Sequence, residues 1–332
     1  MGVMIEGKWH AVEPAGDVGN AGDDGKFRRS LSTFRDWVTP DGAPGADGGR
    51  GGFAAEAGRY HLYVAVGCPW AHRTMIVRVL KGLEDIVSLD IVLPKRSEQG
   101  WIFAAAPGAN SDSLHGSHAL HEIYASANAA FSGRVTVPVL WDKERRTIVN
   151  NESSEIIRML NSAFDGLGAG GPDLYPAELR ADIDAVNERV YRSVNNGVYR
   201  TGFARGQAAY EEAFDELFET LDWLEAHLST RRYLCGSHPC EADWRLFPTL
   251  MRFDVAYFGA FKCNLRRIQD YANLWGYVRE LYQMPGIAHT CDLNAYKEGY
   301  YSISEERNPL GIVPKGPMID FATPHGRASL AA

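Results

Sequence analysis

Cys68 stands in Gly67-Cys68-Pro69-Trp70-Ala71-His72-Arg73, directly behind the β-branched and aromatic run Tyr60-His61-Leu62-Tyr63-Val64-Ala65-Val66. A strand feeding a helix there sets the cysteine at the helix start, where the positive end of the dipole and unpaired backbone N–H groups favour a thiolate. Pro69 suits the first helical position, since its missing N–H would have no partner there in any case. The chemistry open to such a thiol is nucleophilic. Position 71 is alanine, so no second thiol follows within the turn, and a mixed disulfide on Cys68 must be resolved by a diffusible thiol. The plain alternative is a buried, inert cysteine, and the succession of strand, Cys-Pro and helix speaks against it.

The chain that must position this thiol has 332 residues, 45% of them hydrophobic and 23% charged, enough for a large core and about two domains. Five cysteines, Cys68, Cys235, Cys240, Cys263 and Cys291, form neither paired zinc knuckles nor a dense disulfide framework, which fits a reducing compartment. The first ten residues lack an apolar core behind a basic leader, and no segment reaches the roughly 18 apolar residues of a membrane span. A cytoplasmic protein without membrane partners is expected. The net charge of −8 leaves no basic excess for binding nucleic acid.

Residues 1–58 are rich in Gly, Asp and Pro and read as a mostly irregular N-terminal extension, with Phe27 to Trp37 as a docked segment. A strand from Tyr60, a helix from Pro69 to about Gly82 and a strand from Ile86 to Leu93 make a β-α-β unit. The long connection over 95–133 carries His115, His118 and His121, but without a Cys or carboxylate set at ligand spacing these predict no metal site. Val135 to Trp141 reads as an apolar strand interrupted by Pro138, which a cis Val137-Pro138 bond would accommodate. Thr147-Ile148-Val149 supplies a fourth strand and Glu152 to Leu160 opens a helix, so βαβ followed by ββα gives the thioredoxin arrangement over 59–170. Past the glycine-rich linker at 166–172 the pattern is helical, and Phe214, Leu217, Phe218, Leu221, Leu224 and Leu228 share one face of a long helix. Residues 171–332 therefore form an all-α domain with further helices over Leu246–Phe258 and Asn273–Tyr282, ending in a proline-rich tail that packs extended or stays loose.

An α/β thioredoxin-like N-terminal domain joined to an all-α C-terminal domain is the glutathione transferase fold. Cys68-Pro69-Trp70-Ala71-His72-Arg73-Thr74, Arg134 to Asp142, Asn151-Glu152-Ser153 and Tyr282 to Ala288 together resemble the Xi class, the glutathionyl-hydroquinone reductases, nearly end to end. The resemblance implies reduction of S-glutathionyl-hydroquinones by glutathione as cosubstrate, through a Cys68 mixed disulfide and without a metal. It implies that Trp101, Arg134, Val135, Glu152 and Ser153 bind glutathione and that Tyr199, Tyr257 and Tyr300 bind the hydroquinone. A homodimer is implied as well. Read singly, Glu152 and Ser153 are helix-capping residues, Arg134 is a surface charge and the tyrosines are packing.

Two other functions share this fold. A conjugating transferase would activate glutathione with a Tyr or Ser hydroxyl near the first helix, and a noncatalytic interaction module would need no reactive thiol. Cys68 departs from both. Cys240 stands where these transferases usually place a Ser or Thr three residues ahead of Asp243, so it predicts a poorly capped helix.

Overall fold

The computed structural model describes residues 2–12, 22, 24–45, 50–168 and 170–330. Its first element is a hairpin that composition hides: Val3–Ile5 (β1) pairs antiparallel with Lys8–His10 (β2). The connecting Glu6 and Gly7 have φ of 47° and 75°, the two left-handed residues that a type I′ turn requires. Asparagine-glycine is the usual signal for that turn, and a glutamate in its place gave none.

Contact clustering divides the chain into one unit of Met1–Val18 and Leu31–Pro172 and another of Gly19–Ser30 and Asp173–Ala332. In the first, Tyr60–Val64 (β3) is wholly buried and leads through a short turn into Pro69–Leu80 (α1), from which the chain returns as Ser88–Ile91 (β4). Leu120–Ala127 (α2) lies in the long connection, followed by Val139–Asp142 (β5), Thr147–Asn150 (β6) and Ser153–Ser162 (α3). The strands run in the order β4-β3-β5-β6. β3 and β4 are parallel, as a β-α-β crossover requires, whereas β5 pairs antiparallel with both β3 and β6. Leu62, Val64, Val139, Leu140, Ile76, Ile156 and Leu160 are buried in this unit.

The glycine-rich stretch after β2 is not structureless throughout. Asp36 N–H donates to the Val149 carbonyl and Asn151 N–H to that of Phe34, so the chain near Phe34 runs alongside β6 and satisfies its outer edge. The three spaced histidines are partly absorbed in packing: His121 stacks on Trp9 with centroids 4.9 Å apart, and His115 meets Trp141 edge-on.

The second unit is helical. Arg180–Val190 (α4) passes through a π-helical segment, Tyr191–Asn195, to Gly197–Gly202 (α5). Gln207–His227 (α6) carries the apolar face read from the sequence, with Leu217, Phe218, Leu221 and Leu224 buried. Glu241–Arg252 (α7) runs into a second π-helical segment, Phe253–Tyr257, then Phe258–Ala260 (α8), Ala272–Tyr282 (α9) and Leu293–Tyr301 (α10). No helix among the described residues is long and apolar enough to cross a membrane. The tail packs extended: Arg327, only 3% exposed, donates to the carbonyls of Leu228, Arg231 and Arg232 at the end of α6.

The start of α7 is held from inside the helix. Asp243 accepts the Cys240 N–H at 2.8 Å, the Leu234 N–H at 3.0 Å and the Tyr277 hydroxyl at 2.7 Å, so the carboxylate supplies what Cys240 lacks as a cap. Asp254 has a comparable place in the second π segment, accepting from the Ile268 and Gln269 N–H groups. Burial pushes its carboxyl up to about 6 despite those two donors. A carboxyl raised above its unfolded value stabilises the fold below about pH 4 and loses that contribution as pH rises through about 6, a difference of about 2–3 kcal/mol. Thermal melts of the wild type and Asp254→Asn should therefore converge or diverge between pH 4 and 6, and a pH-independent gap would remove Asp254 as the cause.

Candidate active site

The site in the first unit is built on the start of α1. Cys68 is the N-cap residue, with extended φ and ψ of −85° and 121°, and Pro69 follows at the first helical position. Its N–H donates to the Ala65 carbonyl and its own carbonyl accepts from His72 N–H, so the residue is anchored on both sides while its thiol is left only half buried. That thiol donates to the Val137 carbonyl at 3.6 Å, against the turn formed by the cis Val137-Pro138 bond. The expected proline turn thus lies opposite the expected nucleophile. The ordered strand begins only at Val139, because Pro138 offers no ladder N–H.

The segment leading into that turn is fixed at two points around Val135. Gly133 and Met4 exchange backbone hydrogen bonds, each 2.9 Å, and the Thr136 carbonyl accepts the Tyr124 hydroxyl at 2.8 Å. Asn151 then donates to the same Tyr124 oxygen at 3.1 Å, joining the proline turn to the start of α3. Arg134 and Val135 are partly buried between these anchors.

Glu152 is the N-cap of α3, accepting the Ser154 N–H at 3.2 Å and the hydroxyls of Ser154 and Ser32 at 2.9 and 3.0 Å. Burial would raise its carboxyl, but the Ser154 N–H, the two hydroxyls and the nearby Arg73 charge hold it below the usual carboxylate range. Ser153 is 2% exposed and accepts from Arg73 Nη1 at 3.4 Å. Arg73, itself buried on α1, lies with its guanidinium 4.5 Å from the centre of the Trp70 ring. It couples the cysteine helix to the Glu152-Ser153 helix start, where N–H groups and dipole make an anion site. Sequence reasoning assigned no role to Arg73, Ser32 or Tyr124. A cationic residue on the otherwise apolar α1 was the available signal for the first. Trp101 is buried in the connection between β4 and α2, beneath Arg96 at 4.3 Å, and its carbonyl accepts the Leu120 N–H; these contacts are local to the connection.

In the second unit the three tyrosines converge. The Tyr300 hydroxyl is 2.5 Å from that of Tyr199 and 2.9 Å from that of Tyr257. Tyr199 lies just after the first π segment and Tyr257 ends the second, so two local widenings of the helix lead into one phenolic cluster. Burial pushes the Tyr257 phenol well above its ordinary value, keeping it a neutral donor. Phe27, Phe203 and Phe261 surround Tyr199, and the Arg29 guanidinium lies 4.6 Å from the centre of its ring.

Accessibility separates the five thiols. Cys235, Cys240 and Cys263 are buried, and burial pushes up the thiol of the half-buried Cys291. Iodoacetamide should therefore label Cys68 first in the native protein, by at least about tenfold in rate, and equal labelling of Cys291 would show that Cys68 is not distinguished.

A four-stranded βαβ-ββα unit with a cysteine at the start of α1, followed by a helical unit, defines a glutathione transferase. The model of the glutathione S-transferase N-terminal domain matches residues 67–163 and that of the C-terminal domain residues 207–280. The chain is 51% identical to glutathionyl-hydroquinone reductase YqjG of Escherichia coli over 98% of both chains, and 50% identical to glutathionyl-hydroquinone reductase PcpF of Sphingobium chlorophenolicum over 96% of both. The glutathione-bound structure of YqjG superposes with a TM-score of 0.90 over 98% of this chain and 99% of that one. A Xi class transferase from Natrialba magadii gives the same TM-score at 43% identity, over 100% of this chain and 98% of its own. The chain belongs to the glutathionyl-hydroquinone reductases, the Xi class of glutathione transferases.

Proposed function

We propose that this protein reduces S-glutathionyl-hydroquinones to hydroquinones at the expense of glutathione, releasing glutathione disulfide, with Cys68 as the nucleophile. The observation that carries this reading is a half-buried thiol at the N-cap of α1, with alanine rather than cysteine at position 71, facing the Val137-Pro138 turn. The Cys68 thiolate attacks the sulfur of the aryl thioether. The carbon–sulfur bond breaks, its electron pair passes to the ring carbon, which takes up a proton, and Cys68 retains the glutathionyl group as a mixed disulfide. A second glutathione thiolate attacks that disulfide, freeing Cys68 and forming glutathione disulfide. Two electrons thus pass from two thiols to the aryl carbon.

The glutathione site is assigned to Trp101, Arg134, Val135, Glu152 and Ser153. The backbone at Val135, beside the proline turn, suits the cysteinyl part of the peptide. The α3 start suits the γ-glutamyl end: its N–H groups meet the carboxylate, and Glu152, held ionised, meets the ammonium. Arg73 joins this group as a positioning residue. The hydroquinone ring is assigned to the Tyr199, Tyr257 and Tyr300 cluster, whose hydroxyls are suited to ring oxygens.

Incubation with a glutathionyl-hydroquinone and glutathione, followed by chromatography of the ring product, tests the reading. Release of free hydroquinone with one glutathione disulfide supports it. Transfer of glutathione onto electrophiles without that release would return the protein to the conjugating class, and no reaction of either kind would leave a binding module. The family resemblance supports a homodimer, which light scattering would register as twice the 36.7 kDa chain mass. Five free cysteines support a reducing, cytoplasmic setting.

A further inference from the structure

Two of the cysteines that the reaction does not use lie together. Cys235 and Cys240 flank a tight loop turned at Gly236, whose φ is 69°, and the Cys240 thiol hydrogen-bonds Cys235. Both are free. They differ in setting: Cys240 is 2% exposed at the start of α7, beside buried Asp243, whereas Cys235 forms part of the wall of a cleft of about 540 Å³.

The cleft carries both signs of charge. Asp182, Arg231 and Arg232 line it with His227, Ser237 and Cys235. Arg232 is paired with Glu280 at 2.6 Å. Arg231 instead donates to His227 Nδ1 at 3.0 Å, and His227 Nε2 is 2.9 Å from the Leu234 carbonyl. An arginine can only donate and a carbonyl can only accept, so the His227 ring is the neutral Nε2–H tautomer. Arg231 then offers a cation to a carboxylate in the cleft and Asp182 an anion to an ammonium. Those are the charged ends of a glutathionyl group.

We propose that Cys235 and Cys240 form a second thiol–disulfide exchange site, which takes glutathione disulfide in this cleft and is oxidised by it. The two thiols have unequal parts. The hydrogen bond to Cys235 and burial push the Cys240 thiol up, so Cys240 keeps its proton and Cys235, at the cleft wall, ionises first and attacks. Cys235 sulfur displaces one glutathione thiolate and becomes a mixed disulfide. Cys240 then attacks the Cys235 sulfur, its proton passing to a departing glutathione thiolate, and the second glutathione leaves. Two cysteine thiols are oxidised to one disulfide while one glutathione disulfide is reduced to two glutathione molecules. The site does not depend on Cys68, although the reaction proposed for Cys68 produces the oxidant.

Full-length Cys68→Ser protein treated with glutathione disulfide, quenched by alkylation under denaturing conditions and digested without reductant tests this directly. A linked peptide pair joining Cys235 to Cys240, with an intact mass lower by two hydrogens, is the expected result. Cys240→Ser in the same background should retain one glutathionyl group on Cys235, because the resolving thiol is gone. The proposal is overturned if both cysteines are recovered alkylated and reduced, or if the glutathionyl group is found on Cys263 or Cys291 instead. The linked-peptide measurement requires no change at either cysteine, so a folding defect in Cys240→Ser leaves the test intact.

Discussion

Cys68→Ser is expected to lower hydroquinone release by at least about a thousandfold while leaving the thermal transition within a few degrees of the wild type. A serine hydroxyl is not ionised at neutral pH and cannot hold a glutathionyl group as a disulfide, so both half-reactions lose their shared intermediate. The fold should tolerate the change, since Cys68 is anchored by its backbone and its thiol makes one long contact, to the Val137 carbonyl. Wild-type protein given substrate without free glutathione should gain the mass of one glutathionyl group on the peptide containing Cys68. Substantial turnover by the serine variant, or that adduct on another cysteine, would move the chemistry elsewhere.

Tyr300→Phe should slow the hydroquinone-releasing step by about 1–3 kcal/mol, or roughly 5- to 150-fold, and leave glutathione attack on preformed Cys68 mixed disulfide nearly unchanged. Tyr300 is singled out because its hydroxyl reaches both Tyr199 and Tyr257. Removing it unpairs two neighbours at once, whereas either of the others takes away only one bond to Tyr300. Single-turnover traces separate the steps: the first reports ring release, the second the formation of glutathione disulfide. Equal slowing of both steps would make the cluster a packing device, and an effect no larger than that of Tyr199→Phe would remove the central place given to Tyr300.

The parts of this molecule that were legible in its sequence are those that local chemistry dictates. The β-branched run before Cys68, the proline after it and the apolar face from Phe214 to Leu228 each follow from rules spanning a few residues, and β3, α1 and α6 formed where those rules put them. The strand read from Val135 came out four residues shorter at its start because the turn around Pro138 has its own contacts, to Met4 and Tyr124, which lie far away in the chain. The same limit applies to the glutathione site. Glu152 and Ser153 could be named from their motif, but Ser32 and Arg73 meet them only in three dimensions, across separations that no spacing rule covers. The tyrosine cluster is the clearest instance: Tyr199, Tyr257 and Tyr300 are indistinguishable from twelve other tyrosines by any local property.

A π-helical segment holds one more residue per turn than its neighbours would, and the segments Tyr191–Asn195 and Phe253–Tyr257 therefore act as phase shifts. Each residue added to or removed from a helix rotates everything beyond it by about 100°. Deleting one residue from Tyr191–Asn195 would let the chain relax to regular α-helix, a gain in local regularity, yet it would swing Tyr199 about a quarter-turn away from Tyr300. The chain length of these two stretches is thus fixed by where a phenol must point, and variation among related sequences should run to substitution there rather than to insertion or loss.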